Sequence, residues 1–207
     1  MEIHVNLSNQ EMQLKTKTDR ELSLISDEYI WDSVHITEAH GFIMPVFKDW
    51  LKNKQGARLL DIGCGNGVLT NFIADLDIEC VGTDFSQSGI EIASVQFPKV
   101  SFIQSNIDDP IPAHLHQSFD IVLASEVIEH LFLPRKLFDR AKEALKPGGS
   151  LIITTPYHGY FKNLALAIAD MYDYHWHPLR DYGHVKFFSL KTLKKLFEEQ
   201  GFSIVKV

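Results

Sequence analysis

Residues 59–67 read Leu-Leu-Asp-Ile-Gly-Cys-Gly-Asn-Gly, or LLDIGCGNG. The stretch begins with a short apolar run, which is typical of a buried strand, and ends in glycines spaced G-x-G-x-G. Because glycine permits positive φ and close approach of a ligand to the backbone, this loop predicts a binding site at the end of a strand. The spacing differs from the dinucleotide fingerprint G-x-G-x-x-G, and the Lys-Ser/Thr of a phosphate-binding P-loop does not follow it.

Strand-like and helix-like segments alternate on both sides of this loop. The predicted strands are ARLLDIG, ECVGTD, VSFIQSN, FDIVLASE, SLIITTP and FSIVKV. The predicted helices are HGFIMPVFKDWLK, LTNFIADL, QSGIEIASVQF, RKLFDRAKEALKPGG and SLKTLKKLFEEQG. This alternation predicts an α/β fold with a doubly wound, Rossmann-like, mostly parallel sheet. In such sheets ligands bind outside the carboxyl ends of the strands, where the strand order reverses.

Asp84 ends the second predicted strand, in register with the glycine loop on the first. An acidic side chain at this place can accept both hydrogen bonds of a ribose diol. The alternative is a tight turn followed by an ordinary loop aspartate. Since both features fall on successive strand ends, the pair predicts a nucleoside site.

The stretch Ser125–Leu131, SEVIEHL, follows another predicted strand. If residues 126–130 form a helical turn, Glu126, Glu129 and His130 share one face. Two carboxylates and an imidazole suit a divalent ion such as Mg²⁺. Without an ion, His130 is a possible general base, since its pKa is normally near neutral pH. The remaining interpretation is that these residues cap the turn and line a pocket.

The length, net charge, cysteine count and apolar runs of the chain limit the classes of protein to which it can belong. The chain has 207 residues and a formal net charge of −7, which argues against a nucleic-acid partner. Its two cysteines provide no disulfide framework, and its beginning lacks an apolar signal-peptide core. No apolar run is long enough to span a bilayer. A cytoplasmic protein with one main domain is therefore expected.

LLDIGCGNG closely resembles the first motif of class I S-adenosylmethionine-dependent methyltransferases, and Asp84 falls where that family has its ribose-binding acid. The resemblance implies a sheet of seven strands. Because this chain ends at Val207, on the sixth predicted strand, the last strand is either missing from it or replaced by another segment. The implied cofactor is S-adenosylmethionine. The residues implied to bind it are Asp61, Gly63, Cys64, Gly65, Asp84, Phe85, Ser86, Asn106, Ile107 and Ser125.

The E-x-x-E-H of residues 126–130 is similar to a motif in ubiquinone-biosynthesis O-methyltransferases. It is also similar to one in small-RNA 3′-terminal 2′-O-methyltransferases, which add a distant histidine in an H-x-F segment. The corresponding histidine here is His184. The resemblance implies a metal set of Glu126, Glu129, His130 and His184, and it places Glu126 and His130 as catalytic residues beside the methyl-transfer centre.

The domain organisation follows from these motifs. Residues 1–38 are expected to form an N-terminal arm and a cofactor-covering helix, and residues 39–207 the methyltransferase domain. In this family such lead-in segments close over the cofactor, a role implied here for Tyr29, Trp31, His35 and His40. The aromatic-rich and histidine-rich insertion 157–188 is expected on the substrate side.

The expected function is methylation, at oxygen, of a small or lipid-like acceptor. One alternative is an RNA ribose 2′-O-methyltransferase. Another is a non-catalytic, cofactor-binding partner subunit, which a degraded glycine loop would have favoured.

Overall fold

A computed structural model describes residues 30–34, 36, 38–176 and 182–207. One parallel sheet runs through them in the order β3-β2-β1-β4-β5. Its strands are β1 Arg58–Ile62, β2 Glu79–Asp84, β3 Ser101–Gln104, β4 Phe119–Ser125 and β5 Leu145–Thr154. The helices are α1 Glu38–Leu51, α2 Val68–Ala74, α3 Gln87–Gln96, α4 Arg135–Ala144, α5 Tyr160–Ile168, α6 Tyr172–Trp176 and α7 Leu190–Glu199. Short 3₁₀ turns span Ala113–Leu115 and Ile128–His130.

The central strands are apolar on both faces because helices cover both sides of the sheet. Successive side chains of a strand point to opposite faces. Leu59 therefore packs with Ile121 against α1 and α2, whereas Leu60 packs with Val122 against α4 and α7. This explains why the central strands read as continuous apolar runs rather than as alternating patterns.

The strand order reverses between β1 and β4, which is where the site was expected. The chain winds from β1 through β2 to β3 on one side and continues from β4 to β5 on the other. The glycine loop leaves β1 at this switch point, and residues 125–131 leave β4 beside it. The predicted α/β fold class is confirmed.

Two predicted elements differ from the structure in their bounds, and a third does not form. The helix expected to stop at Pro147-Gly148-Gly149 ends at Ala144, and the strand expected at residues 150–156 begins at Leu145. The Pro-Gly-Gly at 147–149 lies inside the start of β5, where the pairing with β4 shifts register between Phe119 and Ile121. The segment FSIVKV, residues 202–207, forms neither helix nor strand. No strand beyond β5 occurs in the described part of the chain, so β5 borders the sheet there.

Other predictions fall on residues outside the described ranges. These are the N-terminal arm up to residue 29, Tyr29 and His35. Across the described ranges, no helix is long and apolar enough to cross a membrane.

Gly67 offers a test of how tightly the glycine loop is packed. It has φ +77°, and a Cβ placed on it would lie 2.7 Å from both Ala93 Cβ and Phe102 Cζ. Gly56 has φ +74° but no atom within 4 Å of such a Cβ. Gly56→Ala should lower the free energy of unfolding by about 1–2 kcal/mol, the cost of left-handed backbone alone. Gly67→Ala should lower it further, because it adds the clash. Urea denaturation of both variants measures the difference, and equal losses would contradict the packing.

Candidate active site

Asp84 joins the glycine loop to the beginning of α3. Its buried carboxylate accepts hydrogen bonds from Gly65 N and from Ser86 N, both at 2.8 Å. Ser86 caps α3 in turn, because its Oγ accepts from Gly89 N. A carboxylate oxygen has two lone pairs and can accept more than one hydrogen bond. This geometry is compatible with the expected ribose contact.

Asp61 lies at the other end of the glycine loop and is only 1% exposed. Thr70 Oγ1 donates to its Oδ2 at 2.7 Å, while its Oδ1 is buried without a hydrogen-bond partner. Burial raises the pKa of Asp61 to about 7, against the lowering effect of the Thr70 hydrogen bond; the charge of Asp84 raises it further. A cationic group of a ligand would supply the missing partner and would favour the ionised carboxylate.

A cavity of about 120 Å³ opens between α1 and the ends of β1 and β4. The residues that line it are Ala39, His40, Ile43, Asp61, Gly63, Cys64, Leu69, Ser125 and Glu126. Four predicted cofactor residues therefore meet here, and His40 lies where a cofactor-covering residue was expected. The contribution of Ala39 and Ile43 to this cavity was not predicted, although HGFIMPVFKDWLK was predicted to be a helix.

The other predicted cofactor residues lie around Asp84 or beyond it. Phe85 is partly exposed and its carbonyl accepts from the Gln104 side chain. Asn106 turns the chain after β3, since its Oδ1 accepts from Asp108 N. Ile107 packs against the core. Burial raises the pKa of the Cys64 thiol well above its usual value, so this thiol stays neutral.

Trp31 covers the middle glycine of the loop. A Cβ on Gly65 would lie 2.5 Å from Trp31 Cζ2, and one on Gly89 would lie 2.9 Å from Trp31 Cδ1. The backbone N–H of Trp31 donates to Ser88 Oγ at 3.0 Å. The lead-in segment is therefore held against the loop that the resemblance assigns to the cofactor.

Glu126 does not share a helical face with Glu129 and His130, so that expectation is wrong. Its backbone is left-handed, with φ 56°, and the turn that follows is a 3₁₀ turn starting at Ile128. Its side chain accepts from Thr154 Oγ1 at 3.0 Å, and Ser125 Oγ also contacts that hydroxyl at 2.8 Å. Burial raises the pKa of Glu126 above its usual value. Glu126 thus lines the cavity beside Asp61.

Glu129, His130 and His184 converge on one point. Each offers a ligand atom within 4.8 Å of the others, and Glu126 is outside this group. His184 is brought close through the backbone, because Val185 N and Lys186 N both donate to the Glu129 carbonyl at 2.9 Å. His184 Nε2 lies 3.9 Å from Glu129 Oε1. Three of the four predicted metal residues are therefore together.

The chemistry of this group depends on a buried carboxyl. Glu129 is 1% exposed; Thr155 Oγ1 donates to its Oε2, while Oε1 is buried without a hydrogen-bond partner. Burial, with the nearby charge of Glu126, raises the pKa of Glu129 to about 7. His130 Nδ1 lies 2.9 Å from the Tyr182 carbonyl. Because a carbonyl only accepts, Nδ1 is the donor in this contact and carries a proton.

The sequence interpretation missed the hydroxyls that hold these carboxylates. Thr154 and Thr155 follow the apolar part of β5, and Thr70 lies one helical turn into α2. Thr154 and Thr155 could have been predicted from the sequence, because polar residues at the carboxyl end of a parallel strand face the edge where ligands bind. Thr70 gave no such signal.

The family described as a methyltransferase domain matches residues 37–207. The chain belongs to this family. The expected class, an S-adenosylmethionine-dependent methyltransferase domain, is therefore confirmed, and the residues present fit the cofactor. The unpartnered Asp61 Oδ1 suits a cationic group, and the Asp84 carboxylate is an acceptor of the kind that hydroxyl donors need.

Curated relatives include the ubiquinone biosynthesis O-methyltransferase of Nitrobacter winogradskyi, which is 34% identical over 154 residues. That match covers 72% of this chain and 58% of the relative. The mitochondrial ubiquinone biosynthesis O-methyltransferase of Dictyostelium discoideum is 26% identical, over 72% of this chain and 51% of its own length. The chain thus spans about half to three fifths of the relatives it matches.

Solved structures show the same fold. The YcgJ protein from Bacillus subtilis matches with a TM-score of 0.64 and 23% identity, over 78% of this chain and 68% of its own. An S-adenosylmethionine-dependent methyltransferase from Mesorhizobium loti matches with a TM-score of 0.62 and 19% identity, over 78% and 81%. These likenesses support the α/β fold described above.

The raised pKa of Asp61 predicts a pH dependence of stability. The native protein keeps this proton up to about pH 7, whereas the unfolded chain loses it near 3.8. The unfolded state thus binds fewer protons in this window, so stability should fall as pH rises through it. Asp61→Asn should flatten this part of the profile and weaken cofactor binding. Exposed Asp139→Asn is the control. Thermal melts between pH 4 and 8 measure the effect; equal slopes in all three proteins would contradict it.

Proposed function

We propose that the chain transfers the methyl group of S-adenosylmethionine to a hydroxyl of a small or lipid-like acceptor. The observation that carries this proposal is the Glu129, His130 and His184 group at the carboxyl end of β4. It lies on the same sheet edge as the glycine loop, where the family binds its cofactor. Bound there, S-adenosylmethionine would supply an electrophilic methyl group on its sulfonium.

A hydroxyl becomes a good nucleophile only when its proton is accepted or its pKa is lowered. His130 Nδ1 donates to the Tyr182 carbonyl, so the proposal assigns the transferred proton to Nε2. The Glu129 carboxylate, with its pKa near 7, can stabilise the imidazolium that forms, or accept the proton itself. The group therefore provides two proton acceptors beside the acceptor hydroxyl. Positioning supplies a further part of the rate.

Glu129, His130 and His184 also fit a divalent cation. Glu129 Oε1 is buried without a hydrogen-bond partner, and a cation would supply that partner. With the imidazoles of His130 and His184, the protein would offer the ion three ligands. Bound there, a divalent ion would lower the pKa of the acceptor hydroxyl. Glu126, which directly follows β4, would not be a ligand of this ion, since its carboxylate accepts a hydrogen bond from Thr154.

The nature of the acceptor is inferred from three properties. The curated relatives named above are O-methyltransferases, which supports oxygen as the target. The net charge of −7 disfavours RNA. Residues 157–176 and 182–188, on the proposed acceptor side, expose Tyr157, Tyr160, Phe161 and Phe187. These rings suit an aromatic or apolar acceptor.

The first test compares acceptors that differ in one atom type. With labelled methyl donor, catechol should be methylated in preference to 1,2-diaminobenzene and 1,2-benzenedithiol. Glu129→Gln should lower kcat for catechol by about 100-fold or more, because it removes a proton acceptor. Cofactor binding by calorimetry should persist in this variant. His114→Ala, at an exposed histidine, is the control. Preference for nitrogen or sulfur, or a native rate in Glu129→Gln, would contradict the proposal.

The second test addresses the cation. Mg²⁺ and Mn²⁺ titrated into metal-stripped protein should bind, and His184→Ala should weaken binding roughly tenfold or more, since even indirect supports of metal sites contribute that much. Chelator should abolish methylation, and added metal should restore it. If chelator leaves the rate unchanged and calorimetry detects no binding, His130 and Glu129 act without an ion.

A further inference from the structure

Two carboxyl groups line the cavity beside the glycine loop. Asp61 Oδ1 is buried there without a hydrogen-bond partner, and Glu126 contributes from the position directly after β4. Among the described residues that line the cavity there is no lysine or arginine, and His40 is the one side chain that could carry positive charge. Carboxylates removed from water require a cationic partner. The cavity is therefore suited to a ligand whose positive charges lie near both carboxyl groups.

Glu126 is held in place through both its backbone and its side chain. Its φ of 56° is left-handed, which strains a residue with a Cβ and persists mainly where the surrounding structure imposes it. Its N–H donates to the Thr154 carbonyl at 3.1 Å, and Thr154 Oγ1 donates to its Oε1 at 3.0 Å. Because the Thr154 hydroxyl has one proton, Ser125 Oγ is the donor in the 2.8 Å contact between the two hydroxyls. Thr154 thus donates to the carboxylate and opposes the rise that burial causes in the pKa of Glu126.

Glu126 also links the cavity to the Glu129 group. It lines the cavity, and it interacts with Glu129: burial raises the pKa of Glu129, and the charge of Glu126 raises it further. An acceptor hydroxyl at Glu129 can react only with a methyl group that faces it. The methyl-bearing sulfonium of the cofactor therefore belongs on the Glu126 side of the cavity, and the Asp61 side is left for the ammonium of its amino-acid end.

Methyl transfer removes one of these two positive charges. The carbon–sulfur bond breaks with its electron pair left on sulfur, the acceptor oxygen forms the new bond to carbon, and its proton passes to His130 or Glu129. S-adenosylmethionine has a sulfonium and an ammonium, whereas the product, S-adenosylhomocysteine, keeps only the ammonium. Two carboxylates match the cofactor, and the product leaves one of them without a partner.

We propose that Glu126 binds the sulfonium of S-adenosylmethionine and thereby distinguishes the cofactor from its uncharged-sulfur product. Thr154 is the positioning residue that holds the Glu126 carboxylate, and Asp61 binds the ammonium that cofactor and product share. The placement of the sulfonium rests on the proposed acceptor site at Glu129. The discrimination itself is a property of cofactor binding, so it can be measured without an acceptor.

Calorimetry with S-adenosylmethionine and S-adenosylhomocysteine tests the proposal through the ratio of the product Kd to the cofactor Kd. In Glu126→Gln this ratio should fall about tenfold or more, because close charge pairs contribute at least that factor. In Asp61→Asn both ligands should bind more weakly and the ratio should stay unchanged, since both keep the ammonium. Glu198→Gln, at an exposed carboxylate on α7, is the matched control and should change neither Kd.

Two further comparisons separate charge from shape and from a purely structural role. Thr154→Val, which removes the donor to Glu126, should lower the ratio, whereas Thr154→Ser keeps a hydroxyl and should retain the wild-type ratio. Sinefungin carries an amine-bearing carbon in place of the methyl-bearing sulfur. It should lose affinity in Glu126→Gln as S-adenosylmethionine does, because the positive charge and not the methyl group is recognised.

The binding ratio also separates this inference from the proposed function. A ratio that falls in Glu126→Gln supports the sulfonium contact even if catechol is not methylated. An unchanged ratio would overturn the contact even if catechol is methylated and kcat falls in the variant, since Glu126 would then act on the acceptor. Equal loss of affinity for both ligands, with a lower melting temperature, would likewise overturn it, because that pattern reports a structural role.

Discussion

The hydrogen bonds of the Asp84 carboxylate connect the two loops on which the binding edge is built. One oxygen holds Gly65 N after β1, and the other holds Ser86 N at the start of α3. Because Gly65 has φ +52°, a residue with a Cβ would be strained there and would also displace the Trp31 indole. One carboxylate thus fixes the shape of the loop and, through Trp31, the position of the lead-in segment.

Buried carboxyl groups without full hydrogen bonding mark both ends of the site. Asp61 has an unpartnered oxygen beside the glycine loop, and Glu129 has one beside His184. Burial raises the pKa of each to about 7, so each destabilises the fold when ionised. Well-packed proteins retain such groups where function requires them. Asp61 lies in β1 and Glu129 follows the neighbouring strand β4, so both lie at the carboxyl edge of the sheet.

The sequence predicted the fold well because its signals were local. LLDIGCGNG identified a strand, a turn and the binding edge within nine residues. FSIVKV misled because an apolar, β-branched segment forms a strand only when a neighbour accepts its hydrogen bonds, and the described residues provide none beyond β5. The spacing in SEVIEHL likewise suggested a helical face, but the left-handed φ of Glu126 directs that side chain to Thr154. Tertiary contacts decided both cases.

His184 approaches Glu129 because two consecutive amides of residues 185 and 186 donate to the Glu129 carbonyl. The segment proposed to bind the acceptor is therefore hydrogen-bonded to Glu129, the residue proposed to accept the proton of the acceptor hydroxyl. With the proposed acceptor side at residues 157–188, exchanging this segment for that of a relative would alter acceptor binding and the surroundings of Glu129 together. Changes of specificity would have to proceed by single side chains that leave this backbone junction intact.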